Sequence, residues 1–139
     1  MHLERRIEVN TPIKRVWAAN ENIESWSQLS PSMAEVRRLD GGPLAIGSRA
    51  RIKQLRFPAA EWTLTALDPG RALTWESRSI GVRTIATHEL ESTAAGTSLL
   101  FAVDLSGLPV RLLAPVISRI ARRFVEQESQ GFKSYCEWA

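Results

Sequence analysis

Between residues 33 and 105 the chain repeats one pattern: a short run alternating apolar and polar residues, then a tight turn, with no helical stretch between. Met33 to Leu39 is closed by Asp40-Gly41-Gly42-Pro43. Ser48 to Leu55 follows, with Arg49, Arg51 and Lys53 on one face and Ala50, Ile52 and Gln54 on the other. Ala60 to Leu67 sets Trp62 and Leu64 against Glu61, Thr63 and Thr65. Asp68-Pro69-Gly70 makes a turn, since Pro presets φ and Gly supplies positive φ. Arg71 to Ser77 carries Leu73 and Trp75 on one face, and Val82 to Glu91 carries Val82, Thr84, Ala86, His88 and Leu90. After the turn at Ala95-Gly96, Thr97 to Leu105 carries Leu99, Phe101, Val103 and Leu105. Parallel pairing needs long crossovers, for which these turns leave no room, so the sheet is predicted to be antiparallel with one apolar face.

Such a face must be covered, and the two ends of the chain supply the cover. Leu3, Arg5, Ile7 and Val9 alternate with charged neighbours and predict a first strand. Thr11-Pro12 then predicts a helix start, Thr as N-cap and Pro at the first helical position, with Ile13, Val16 and Trp17 on one side. Asn20 to Trp26 predicts a second short helical turn, broken at Ser30-Pro31. Beyond Ser106-Gly107, the run from Pro109 to about Trp138 has helical periodicity. Leu113, Ile117, Ile120, Phe124, Gly131 and Tyr135 share one side, and Arg111, Arg119, Arg122, Arg123 and Lys133 the other. A helix of about 25 residues spans roughly 38 Å. Pro115 either kinks it or marks where its main run starts. The expected fold is α+β, of the helix-grip kind. A curved antiparallel sheet of about seven strands wraps around a long C-terminal helix, with two short helices after the first strand. Residues 1–139 are expected to form a single domain.

Composition narrows the function. An apolar fraction of 44% and a charged fraction of 24% argue against disorder, and a net charge of +3 gives no reason to expect nucleic acid. Lone Cys136 has no internal disulfide partner. The start Met1-His2-Leu3-Glu4-Arg5-Arg6 has no apolar signal core, and the apolar stretch Leu112 to Ile120 is too short to span a bilayer, so a cytoplasmic location is expected. With only His2 and His88 and one cysteine there is no standard metal set, and no phosphate loop or dinucleotide fingerprint occurs, so neither metal nor cofactor is expected.

One helix cannot fill the trough of a seven-stranded sheet, so what remains is either packed core or a cavity. Trp17 and Trp26 read as core where the short helices dock, while Trp62 and Trp75 sit mid-sheet on inward faces where a cavity would lie; Trp138 completes the tryptophans. Leu64, Phe101, Ile117, Ile120 and Phe124 are the further candidate lining residues. His88 shares its face with Ala86 and Leu90. It is either satisfied by one internal hydrogen bond or anchors a ligand carbonyl or hydroxyl, with proton transfer as a lesser option. Gln54 is inward by parity, as a second anchor or at a strand end in water. Arg5 is expected to be solvated. Glu128 lies close to the apolar helix face; buried, it would be a weakened acid, and the plainer reading takes it to solvent. Gly131 fits a close approach of a strand to the helix. The arginine stripe is a solvated face, or a docking face for an anionic membrane or a partner.

Read in order, Ile7-Glu8-Val9-Asn10-Thr11-Pro12 running into Val16-Trp17, then Trp26 with Pro31, Gly47 before a strand, Leu73-Thr74-Trp75-Glu76, and His88 and Leu90 followed by Gly96-Thr97, form one pattern. It resembles the START-like (SRPBCC) superfamily, in its polyketide cyclase/dehydrase and lipid-transport branch, over essentially the whole chain. The resemblance implies an internal cavity between sheet and C-terminal helix for a small hydrophobic ligand that is lipid, polyketide or quinone-like. The superfamily holds carriers, quinone-binding proteins, aromatase/cyclases and chaperone activators, so it implies no single reaction. Three readings stay open: a ligand binder, a cyclase/dehydratase-type enzyme moving a proton with His88, and an interaction module without ligand. Both a monomer and a homodimer are compatible with it.

Overall fold

The computed structural model describes residues 1–29, 33–54 and 57–138, for Trp138 the backbone alone. Its elements are β1 (His2–Val9), α1 (Ile13–Glu21), a 3-10 helix (Ile23–Gln28), β2 (Met33–Arg38), β3 (Arg49–Gln54) and β4 (Ala60–Asp68). Then come β5 (Ala72–Ser79), β6 (Val82–Thr93), β7 (Gly96–Ser106), α2 (Leu108–Leu112) and α3 (Ala114–Trp138). The strands form one curled seven-stranded sheet in the order β1-β7-β6-β5-β4-β3-β2, every neighbouring pair antiparallel. The meander is thus completed by β1 returning beside β7. The expected break at Ser30-Pro31 and the end of a strand at Leu55 lie outside the described residues.

Because side chains alternate along a strand, register decides which ones meet on the inner face. Leu73 of β5 pairs with His88 of β6, which pairs with Phe101 of β7. One row further on, Leu64, Trp75, Ala86 and Val103 stand side by side across β4 to β7. The next row is Trp62, Ser77, Thr84 and Leu105. The first row is large and closely packed. The other two mix bulky and small residues, so the floor drops where Ala86, or Ser77 beside Thr84, occurs.

Helix α3 leans against β1 and, less, β7, while the 3-10 helix covers β2. Its path is set by Gly131. A Cβ there would lie 1.8 Å from the carbonyl oxygen of Leu29, so only glycine lets the helix come this close. The sequence predicted a strand as the neighbour at this point; the neighbour is the turn that ends the 3-10 helix. Two further expectations are corrected. The C-terminal helix is not continuous from Pro109: α2 and α3 are separated at Leu113, which is 54% exposed rather than inward. Pro115 is the second residue of α3, where its missing N–H costs little, so it marks a start and not a kink. Thr11 does not cap α1. Pro12 holds the cap position with no side-chain hydrogen bond, and the Thr11 hydroxyl donates instead to the carbonyl of Cys136, 3.0 Å away, tying β1 to the end of α3.

Candidate functional site

Since α3 covers the β1 and β7 side of the trough, the space above the middle strands stays open. It forms a cavity of about 430 Å³ between β3–β7 and α3. Ile117, Ile120, Ala121, Phe124 and Val125 make the roof, and Trp62, Trp75, Ala86 and Val103 the floor. The inner end is closed by aromatic rings: His88 lies 4.3 Å from Phe101, 5.5 Å from Trp26 and 5.7 Å from Phe132, centroid to centroid. Trp26, expected to be core, is buried, donates its indole N–H to the carbonyl of Ala19 at 3.2 Å, and also borders the cavity.

His88 is 5% exposed and bonds Asn20 across the core, Nδ1 to Oδ1, at 2.7 Å. The Asn20 amide nitrogen donates to the carbonyl of Val16 at 2.8 Å, which leaves the amide oxygen to face the imidazole. An amide oxygen only accepts, so Nδ1 carries the proton and Nε2 is left as an unprotonated acceptor. Burial without a counter-charge pushes the imidazole pKa down to about 3. At neutral pH His88 is therefore an uncharged, rigidly held acceptor in the wall. Asn20 was not singled out in the sequence. Its signal was its spacing, four residues after Val16 and one after Ala19 on the buried side of α1.

Further polar side chains lie at the wall. Trp75 and Ser77 are among the lining residues, but their Nε1 and Oγ atoms are themselves buried, without a hydrogen-bond partner among the described residues. Glu128 of α3 faces the cavity, and enclosure by apolar neighbours pushes its carboxyl up to about 7. Glu128 is half-buried, between the two environments that the sequence left open. Gln54 lies half-buried at the wall.

Of the predicted lining residues, Gln54, Trp62, Trp75, His88, Ile117, Ile120 and Phe124 come together around the cavity. Leu64 and Phe101 do not line it: both are fully buried in the core cluster beneath. Ser77, Thr84 and Ala86 were missed, because small residues signal a cavity only once register shows what stands beside them. Arg5, expected to be solvated, is half-buried: its Nε is buried with no hydrogen-bond partner among the described residues, while its guanidinium ends 4.0 Å from Glu126. Arg111, Arg119, Arg122 and Arg123 are all exposed. Among the described residues no cluster of three His, Cys, Asp or Glu side chains could hold a metal ion, and no helix is long and apolar enough to cross a membrane.

The cavity opens beside the β5–β6 turn and the α2–α3 junction, where Ile80, Pro109, Leu113 and Val116 form the rim. Ile80 is 68% exposed and has φ of 56°, in the left-handed region that a β-branched residue rarely enters.

A helix-grip sheet enclosing an apolar cavity with a few separate polar groups defines a ligand-cavity class of protein. Within that class, the model of the family described as polyketide cyclase / dehydrase and lipid transport matches residues 1–137, and the chain belongs to this family. No curated protein matches the sequence. Among solved structures, the hypothetical protein jhp0584 from Helicobacter pylori superposes with a TM-score of 0.84 at 13% identity, covering 98% of this chain and 88% of that one. TTHA0849 from Thermus thermophilus gives 0.80 at 13%, covering 96% and 95%. The di-domain ARO/CYC StfQ from the steffimycin biosynthetic pathway gives 0.81 at 12%, covering 98% of this chain and 50% of that protein. At such identities the similarity shows the fold alone.

Proposed function

We propose that this protein binds a small, largely apolar molecule in the cavity, with His88 Nε2 as the acceptor that orients it. The observation that carries this reading is the open volume of about 430 Å³ between sheet and α3, apolar except for a few polar side chains such as His88 and Glu128 at its wall. A trough that the protein's own side chains leave unfilled forgoes packing that a ligand would restore. Burying about 200 Å² of apolar ligand surface would contribute roughly 5 kcal/mol, before the cost of immobilising the ligand. The open volume also speaks against an interaction module that leaves its trough unused.

The enzyme reading has one observation behind it, and it is not the residue first singled out. An imidazole whose conjugate acid has a pKa near 3 is a poor proton acceptor at neutral pH. Glu128, near 7, is poised to exchange protons. In a cyclase/dehydratase-type reaction the proton would move through Glu128, with His88 positioning the substrate.

Native mass spectrometry of gently purified protein should show a bound small molecule. The variant Ala121→Phe, which pushes a ring into the roof, should lose that species and keep its thermal unfolding transition. Retention of the species at full occupancy in a folded Ala121→Phe protein would place the ligand elsewhere.

A further inference from the structure

The cavity wall is asymmetric in charge. Its only ionisable groups among the described residues are His88 on β6 and Glu128 on α3. Among the described residues, the 3-10 helix, the other strands and α2 contribute no lysine, arginine or acid side chain to it; Lys53 of β3 comes nearest, its ammonium donating to the carbonyls of Gln54 and Phe57 at the edge of the wall. The cations of α3 point away: Arg119, Arg122 and Arg123 are exposed. Those of the β5–β6 hairpin, Arg78 and Arg83, are exposed too, and both approach Glu76, at 3.8 and 2.6 Å. We propose that the cavity selects neutral ring compounds carrying a hydroxyl and rejects their carboxylate counterparts, because its wall presents, among the described residues, one carboxyl group, one imidazole acceptor and no cation.

This inference rests on the ligand-binding reading and narrows it. An anion entering the space gives up its water and finds no positive side chain among the described lining residues to replace it. It also meets Glu128, and two like charges about 6 Å apart at an effective dielectric of 20 repel by a few kcal/mol. A neutral oxygen meets neither penalty. A hydroxyl can donate to His88 Nε2, which the bond between Nδ1 and Asn20 leaves as an acceptor. Half-buried Trp62 adds aromatic surface to the wall, which suits a ring. A fatty acid, by contrast, would have to leave its carboxylate at the mouth.

The test is isothermal titration calorimetry of the full chain with a size-matched pair, 2-naphthol and 2-naphthoate. At about pH 8, naphthol should bind about tenfold or more tightly than naphthoate. Glu128→Gln should narrow that gap several-fold. The wild-type protein at about pH 5.5, where Glu128 is protonated and naphthoate is still an anion, should show the same narrowing without any substitution. Naphthoate binding as tightly as naphthol at about pH 8 overturns the selection. So does a gap that neither the variant nor the lower pH changes. If neither probe binds, the ligand-binding reading falls, and this inference with it.

Discussion

Glu128 and His88 respond to pH in opposite senses, and each leaves a mark on stability. The folded pKa of Glu128, about 7, lies above the ordinary 4.5, so the folded state keeps a proton that the unfolded state has lost. Its favourable contribution is complete below pH 4.5 and is lost as pH rises through 7. For His88 the folded value of about 3 lies below 6.5, so the unfolded state takes up the proton first. Stability is then highest above pH 6.5 and falls as pH drops towards 3. Glu128→Gln keeps the shape and removes the charge. Urea unfolding should show this variant more stable than wild type by about 1–3 kcal/mol at about pH 8. At about pH 4 the two should be equal. Equal stability at both values would mean that the carboxylate is well solvated. The same variant decides the enzyme reading: turnover of a polyketide-like substrate should be lost in Glu128→Gln and only weakened in His88→Gln, and the reverse order would return the proton to the imidazole.

At the scale of elements, the strands were legible because a sheet with one buried face writes its period of two into the sequence, and turns such as Asp68-Pro69-Gly70 punctuate it. Inward pointing of Trp62, Trp75 and His88 followed from parity alone. The break between α2 and α3 was legible only as one of the two readings of Pro115, a new start, since Leu113 continues the helical periodicity that leads into Ile117 and Ile120. Nor was it legible that Leu64 and Phe101 are core while Trp62 and Ser77 are wall, because that depends on where α3 lies. Gly131 fixes this. Gly131→Ala should force the helix off the Leu29 carbonyl and cost about 3 kcal/mol or more, read as a lowered thermal midpoint. A midpoint unchanged from wild type would show that the contact at Leu29 relaxes easily and does not set the helix path.

Taken as a whole, the molecule gathers most of its strongly exposed apolar side chains at one place, Ile46 between β2 and β3 being the exception among the described residues. Ile80, Leu108, Leu112, Leu113 and Val116 are all more than half exposed, and all belong to the β5–β6 turn or to the α2–α3 region beside the mouth. A β-branched residue held at positive φ and left in water costs roughly 1–2 kcal/mol that an asparagine or glycine would avoid, so the rim is not the arrangement stability alone would favour. Exposed Arg78, Arg83, Arg111 and Arg119 lie on the same segments. Apolar tips among arginines match the interface of an anionic bilayer, where the tips enter the headgroup region and each arginine gains about 1 kcal/mol near the surface. That geometry would set the mouth against the membrane and let an apolar ligand pass without crossing water. Sedimentation with vesicles containing phosphatidylglycerol should therefore carry the protein down, and vesicles of phosphatidylcholine alone should carry much less. Ile80→Asn, which also relieves the turn, should raise the thermal midpoint and weaken vesicle binding several-fold. Added salt should weaken it further, because the arginine part of the attraction is screened. Binding that ignores both lipid charge and Ile80, or a rim buried in a stable dimer in solution, would assign the exposed apolar side chains to another partner.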